Sequence, residues 1–183
     1  KAEMNVKGNA MYTQWAQDLH FAFKRTGSFV LAFDEKEHEV LKYYLENGTK
    51  NGVPGIALIT GEEARKIEPN ISDVAQWALW TPSAGYVEPY EVALALMENA
   101  IDNGVQLRLG CEVYAIEQEN KKASVLVTNQ GKIRCKYIID AAGLYADEVA
   151  KMLDDEFFTI HPRRGTLVIY DKENKGKIHT FSG

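Results

Sequence analysis

The sequence predicts a mixed fold, α/β through its middle and α+β on either side. Three observations predict it. The stretch Tyr137-Ile-Ile-Asp-Ala-Ala-Gly-Leu-Tyr-Ala-Asp-Glu-Val-Ala150 has the order buried strand, small-residue turn, helix, which is the crossover of a nucleotide-binding α/β unit. Just before it, Ile133, Cys135, Tyr137 and Ile139 alternate with Arg134 and Lys136, the pattern of an antiparallel meander. The flanks lack this order and mix short apolar strands with capped helices. We therefore expect residues 1–85 and 157–183 to form one domain, interleaved along the chain with residues 86–156.

Each element has a local cause. Val6, Met11, Trp15 and Leu19 fall at helical spacing over the first ~20 residues. Phe29–Phe33 is a short apolar run after Thr26-Gly27-Ser28, so a strand. Asp34 can cap a helix carrying Val40, Leu41, Tyr44 and Leu45, which Asn51-Gly-Val-Pro-Gly55 ends. Ile56–Ile59 is a second strand. Thr60 and Glu63 have the spacing of a capping box, and Pro69 stops that helix. Ala75, Trp77 and Leu79 alternate with Gln76 and Ala78 as in a half-buried strand, and Thr81–Gly85 is a loop.

Pro89 suits the first position of a helix that Gly104 ends. That helix is apolar on most sides, with Glu91, Glu98 and Asp102 in one narrow stripe, so we expect it to be sandwiched between a sheet and another layer. Val105–Leu109, Val113–Ile116 and Val125–Val127 are strands, and 129–132 is a turn. After the Tyr137–Ala150 crossover, Phe158–Tyr170 is a long strand interrupted at Pro162.

Composition narrows the function classes. Of 183 residues, 45% are hydrophobic and 26% charged, as in ordinary globular proteins. A net charge of −5 without a basic run argues against extended nucleic acid or an anionic membrane surface as partner. No apolar run approaches the roughly 20 residues of a membrane span. Cys111 and Cys135, without CxxC spacing, point to packed thiols in a reducing, cytoplasmic setting and not to a disulfide scaffold or a metal site. The chain starts at Lys1 and stops at Gly183 in mid-pattern, so it reads as a piece of a longer protein.

The turn Asp140–Tyr145 is the leading chemical candidate. Small residues leave room for a dinucleotide backbone, and N–H groups at a helix start favour its charge. Any tight strand-to-helix crossover shares that pattern, and no GxGxxG accompanies it. Arg163 and Arg164 could fork onto a carboxylate or phosphate, or be solvated strand arginines. Gly165 either permits close approach of a ligand or marks a bulge. His161 is the best-placed histidine for general-base work, but a satisfied loop histidine is the simpler reading; His38 belongs to a charged, solvent-facing segment. Trp77 and Trp80 are read as packing residues before a substrate platform, and Tyr86 as packing a loop before lining a pocket.

The order of helix, Asn103-Gly-Val105, strand, Glu112-Val113, meander, Tyr137–Gly143, helix and His161-Pro-Arg-Arg-Gly165 resembles the FAD-dependent oxidoreductases of the D-amino-acid-oxidase/glycerol-3-phosphate-dehydrogenase superfamily. Gly27–Ala32, Ile59–Ala64, Glu68-Pro-Asn70 and Ala84–Pro89 are similar to the bacterial glycerol-3-phosphate dehydrogenases within it, near the L-2-hydroxyglutarate oxidases. The resemblance covers essentially the whole chain. It implies part of a glutathione-reductase-like FAD-binding unit, interleaved with part of an antiparallel-sheet substrate domain.

On that resemblance Glu112 and Val113 lie against the adenine, with the Val113 backbone bonding it. Ala141, Ala142 and Gly143 pass near the pyrophosphate, and Leu144 flanks them. Arg164 and Gly165 lie on the substrate side. The implied activity is hydride transfer from a small anionic hydroxy substrate to FAD, with an electron acceptor downstream. sn-Glycerol 3-phosphate leads, L-2-hydroxyglutarate or another 2-hydroxy acid follows, and an amino acid is third. A non-catalytic nucleotide-binding or interaction module is the alternative class. No catalytic base is identified among these residues. The resemblance implies a cytoplasmic protein, with contact at the inner membrane face left open. The piece by itself is expected to carry no flavin, because the glycine-rich turn of the family is not in it.

Overall fold

The computed structural model describes residues 2–119, 122–165 and 181–182. Packing divides the chain into two compact units, Lys1–Val105 with Ile169–Gly183, and Gln106–Val168.

The first unit opens with α1 (Ala2–Leu19), followed by β1 (Phe23–Arg25) and β2 (Ser28–Ala32). α2 (Glu35–Lys50) begins where expected, since the Asp34 carboxylate accepts from the Glu37 N–H at 2.8 Å. β3 (Ala57–Thr60) leads into α3 (Gly61–Ile67), and both halves of the capping box form: Thr60 Oγ1 accepts from the Glu63 N–H, and Glu63 accepts from the Thr60 N–H. The backbone and hydroxyl bonds from Thr60 hold the Glu63 carboxyl below the usual glutamate range. β4 (Trp77–Thr81), β5 (Gly85–Val87) and α4 (Pro89–Asp102) complete the run, with Pro89 at the first turn and Gly104 at φ +90° just beyond the end.

The main sheet has the order β3-β4-β2-β9, where β9 is Phe181–Ser182. β4 is antiparallel to both β2 and β3; β9 is parallel to β2. Alternation along the strands gives each face its own core. Phe29, Ala78 and Trp80 meet Ala64, Ile71 and Ala75 on one face. Ala32, Leu79 and Trp77 meet Leu41 of α2 on the other.

β1 and β5 pair across 60 residues of sequence, from Phe23 opposite Val87 to Arg25 opposite Gly85, where the sequence reading has no strand. Arg25 fastens α1 to this ribbon. Its guanidinium donates to the side chain and carbonyl of Asn9, to Thr13 Oγ1 and to the Ser83 carbonyl, and lies 5.0 Å from the Phe23 ring centre.

Other expectations are corrected. His38 does not face solvent: its ring stacks on Trp77 at 4.2 Å between centres, 5° from parallel, because one turn of helix after the cap brings position 38 over the sheet. α4 is not sandwiched among the described residues. Val92 is buried, but Leu94, Met97 and Ile101 are exposed, since α4 lies against α1 on one side only.

The second unit holds the meander β6 (Val113–Glu119), β7 (Lys122–Thr128) and β8 (Gly131–Arg134), antiparallel in the order β6-β7-β8. A 3₁₀ turn, Gly143–Tyr145, and α5 (Ala146–Lys151) follow. Val105–Leu109, Tyr137–Ile139 and residues 158–165 are not strands here. A strand exists through its ladder, and no described strand lies beside these segments. Their side chains show it: Leu109, Tyr137 and Ile139 are 77%, 88% and 90% exposed. The rest of the predicted strand, 166–170, lies outside the described residues. Among the described residues no helix is long and apolar enough to cross a membrane, and no cluster of three or more His, Cys, Asp or Glu is placed to hold a metal.

Candidate cofactor-binding site

All eight residues singled out in the sequence fall in the second unit. Glu112 lies just ahead of β6, exposed. Its N–H donates to Asn129 Oδ1 at 3.0 Å, and its carbonyl accepts from the Asn129 N–H at 3.2 Å. One backbone bond and one side-chain bond thus tie Glu112 to Asn129 at the entry to the β6–β7 ladder. Val113, half-buried, is the first ladder residue of β6, opposite Thr128, and the register shifts between it and Ala115. Among the described residues β6 is an edge strand, so a row of backbone N–H and C=O groups on its outer side has no strand partner.

The turn at Ala141–Leu144 is bare. Asp140 Oδ1 accepts from the Ala142 N–H at 3.0 Å, bending the chain, and the Tyr145 N–H closes onto the Ala142 carbonyl at 3.1 Å. Gly143 sits at φ +60°, a conformation that disfavours any side chain, and nothing lies within 4 Å of where a Cβ would stand. Ala141, Ala142 and Leu144 are exposed. α5 has only six residues, so its dipole is short and the amides of the turn are the main donors available to an anion.

An open groove of about 740 Å³ lies between Ile116 of β6, Ala146, Val149 and Ala150 on α5, and Leu153 just beyond that helix. None of the eight candidates lines it; Asp140 does. Its lining also includes Lys136 and Asp155.

Arg163, Arg164 and Gly165 are exposed, and so is His161. The segment carrying them is tied to the turn through Asp147. That side chain is 8% exposed, and its Oδ2 accepts from the Ile160 N–H at 3.2 Å. One residue thus joins the helix that follows Gly143 to the chain that leads to Arg164. No hydrogen bond among the described residues joins Glu112 or Val113 to the 141–144 turn.

Asn129 and Asp147 were not singled out in the sequence. Asn129 lies in a stretch read only as a turn, and Asp147 in the first turn of α5, where acidic residues are commonplace. Cys111 and Cys135 are half-buried and not joined in a disulfide.

The sequence model described as "FAD dependent oxidoreductase" matches residues 1–181. A glycerol 3-phosphate dehydrogenase of Caloramator mitchellensis is 39% identical over 172 residues, covering 94% of this chain and 36% of the relative. The human mitochondrial L-2-hydroxyglutarate dehydrogenase is 29% identical over 163 residues, 83% of this chain and 35% of the relative. Among solved structures, dithionite-reduced L-α-glycerophosphate oxidase from Mycoplasma pneumoniae with FAD bound superposes with a TM-score of 0.70 at 26% identity, over 82% of this chain and 41% of that one. The chain therefore spans about a third of the length of the curated relatives it matches. With that match over nearly its whole length, and with the mixed architecture and antiparallel sheets described above, the chain belongs to the family of FAD-dependent oxidoreductases.

Proposed function

We propose that the protein containing this chain is an FAD-dependent dehydrogenase acting on a small anionic hydroxy compound, with sn-glycerol 3-phosphate as the leading substrate. The observation that carries the substrate is the 39% identity, across 94% of the chain, to a relative named for that activity. L-2-hydroxyglutarate is the second reading, favoured by relatives of that name at 29% and 31% identity.

The residues present fit FAD. The open backbone edge at Val113 suits the polar rim of an adenine, and the uncrowded turn at Gly143 suits the close approach of a pyrophosphate. On this reading Glu112, Val113, Ala141, Ala142, Gly143 and Leu144 hold the cofactor. Bound FAD would supply the two-electron redox chemistry. The chain's part is binding and orientation: Val113 fixes one end, the N–H groups of Ala141 and Gly143 are offered to the phosphates while that of Ala142 is held by Asp140, and Asp147 sets the course of 160–165.

Arg164 is the substrate-side cation of this reading, exposed and permanently charged, and Gly165 beside it leaves space. On this reading residues 86–156 serve the cofactor domain and residues 1–85 and 157–183 the substrate domain, a functional division that differs from the packing units over 86–105 and 157–168. An electron acceptor completes the cycle, and two cysteines without CxxC spacing support a cytoplasmic location.

The test is the full-length protein. We expect a flavin absorbance spectrum and dye reduction with sn-glycerol 3-phosphate. Dye reduction with L-2-hydroxyglutarate alone would replace the first substrate by the second. A protein without flavin would remove the reading altogether.

A further inference from the structure

We propose that Asn129 is a positioning residue for the adenine end of the cofactor, an inference that rests on the flavoprotein reading above. Residues 109–112 make no strand of their own, and Gly110 sits at φ +62°. Four hydrogen bonds from the 129–130 turn hold them. Asn129 Oδ1 accepts from the Glu112 N–H at 3.0 Å, and Asn129 Nδ2 donates to the Gly110 carbonyl at 2.8 Å. The Asn129 N–H donates to the Glu112 carbonyl at 3.2 Å, and Gln130 Nε2 donates to the Leu109 carbonyl at 2.9 Å.

A residue that served only the β7–β8 turn would spend its amide within that turn. Thr128 does this: its hydroxyl donates to the Gly131 carbonyl at 2.6 Å and accepts from the Gln130 N–H at 3.0 Å. With the turn closed by Thr128, both amide atoms of Asn129 reach across to the approach to β6. They hold Gly110 and Glu112 in place, and so fix the course by which the chain enters β6 at Val113. The Asn129 side chain thus acts on the cofactor through Glu112 and Val113, without touching it.

The experiment compares the full-length wild type, Asn129→Ala and Asn129→Asp. The apoproteins are titrated with FAD and with ADP, which carries only the adenine and pyrophosphate half. Amide exchange is followed at Glu112 and within the β7–β8 ladder. Asn129→Ala removes two hydrogen bonds and is expected to speed exchange at Glu112, leave the β7–β8 ladder protected, and weaken FAD and ADP by a common factor of about ten. Asn129→Asp keeps the acceptor for the Glu112 N–H and is expected to recover part of the loss.

Faster exchange at Glu112 with ADP binding unchanged would overturn the proposal, leaving Asn129 a loop-closing residue. Loss of protection throughout the β7–β8 ladder would overturn it as well, since the effect would then be general unfolding. A wild type that binds neither FAD nor ADP would defeat the flavoprotein reading, and this inference would fall with it.

Discussion

The carboxylate of Asp147 accepts a hydrogen bond from the Ile160 N–H at 3.2 Å, across 13 residues of sequence and in a largely buried setting. It is the bond that joins the helix after the 141–144 turn to the segment carrying Arg164. Removing the acceptor leaves a partly buried N–H unpaired, at a cost of about 1–3 kcal/mol. We expect Asp147→Ala to lower the midpoint of thermal unfolding and to raise KM for the anionic substrate in the full-length enzyme. Asp147→Asn keeps an acceptor and should recover most of both. Equal behaviour of the two variants would show that the charge, and not the hydrogen bond, matters.

Gly143 separates backbone from side-chain effects. A Cβ there meets nothing within 4 Å, so Gly143→Ala adds only the strain of φ +60°, on the order of 1 kcal/mol. We expect a small loss of stability in the apoprotein. The loss of FAD affinity should exceed it, because the methyl group stands on the side where the pyrophosphate is proposed to pass. Calorimetry of the apoprotein beside FAD titration measures the two separately.

The capping box of α3 gives a pH signature. Glu63 has its pKa lowered in the folded state, first by the Thr60 backbone bond and then by the Thr60 hydroxyl. A depressed carboxyl pKa adds stability that is complete above the unfolded value and is lost as pH falls through the folded one. Glu63→Gln keeps the cap geometry and removes the charge. The variant should therefore unfold below the wild type at neutral pH, and the two thermal midpoints should converge in acid below the ordinary glutamate range. Curves that stay parallel down to pH 2 would contradict this.

Phe29 anchors one face of the main sheet. It is fully buried and stacks on Trp80 with ring centres 4.4 Å apart. Phe29→Ala should cost about 3–5 kcal/mol, through lost burial and the cavity left behind. Denaturant unfolding followed by tryptophan fluorescence reads both the lower midpoint and the altered Trp80 environment. A change below 1 kcal/mol would mean that Trp80 collapses into the space.

What was legible in the sequence was what neighbours along the chain decide. Asp34, the Thr60–Glu63 pair, Pro89 and Gly104 act within one turn of helix, and each stands where its spacing put it. The short apolar runs of β2 and β3 and the alternation leading into β4 were legible for the same reason, since both are properties of the strand itself. The order of motifs also carried the family, because it survives in a sequence even when individual contacts cannot be read.

The tertiary structure decided everything that needs a partner far along the chain. Val105–Leu109 and Tyr137–Ile139 have strand-like sequences but no ladder, whereas Phe23–Arg25, with a weaker pattern, has one in Gly85–Val87. His38 looked solvated until a sheet residue, Trp77, was found under it. The candidate site follows the same division. Gly143 announced itself through its residue type. Asn129 and Asp147 did not, because an amide or a carboxylate acquires its role from whichever backbone group it meets, and folding alone brings Glu112 and Ile160 to them.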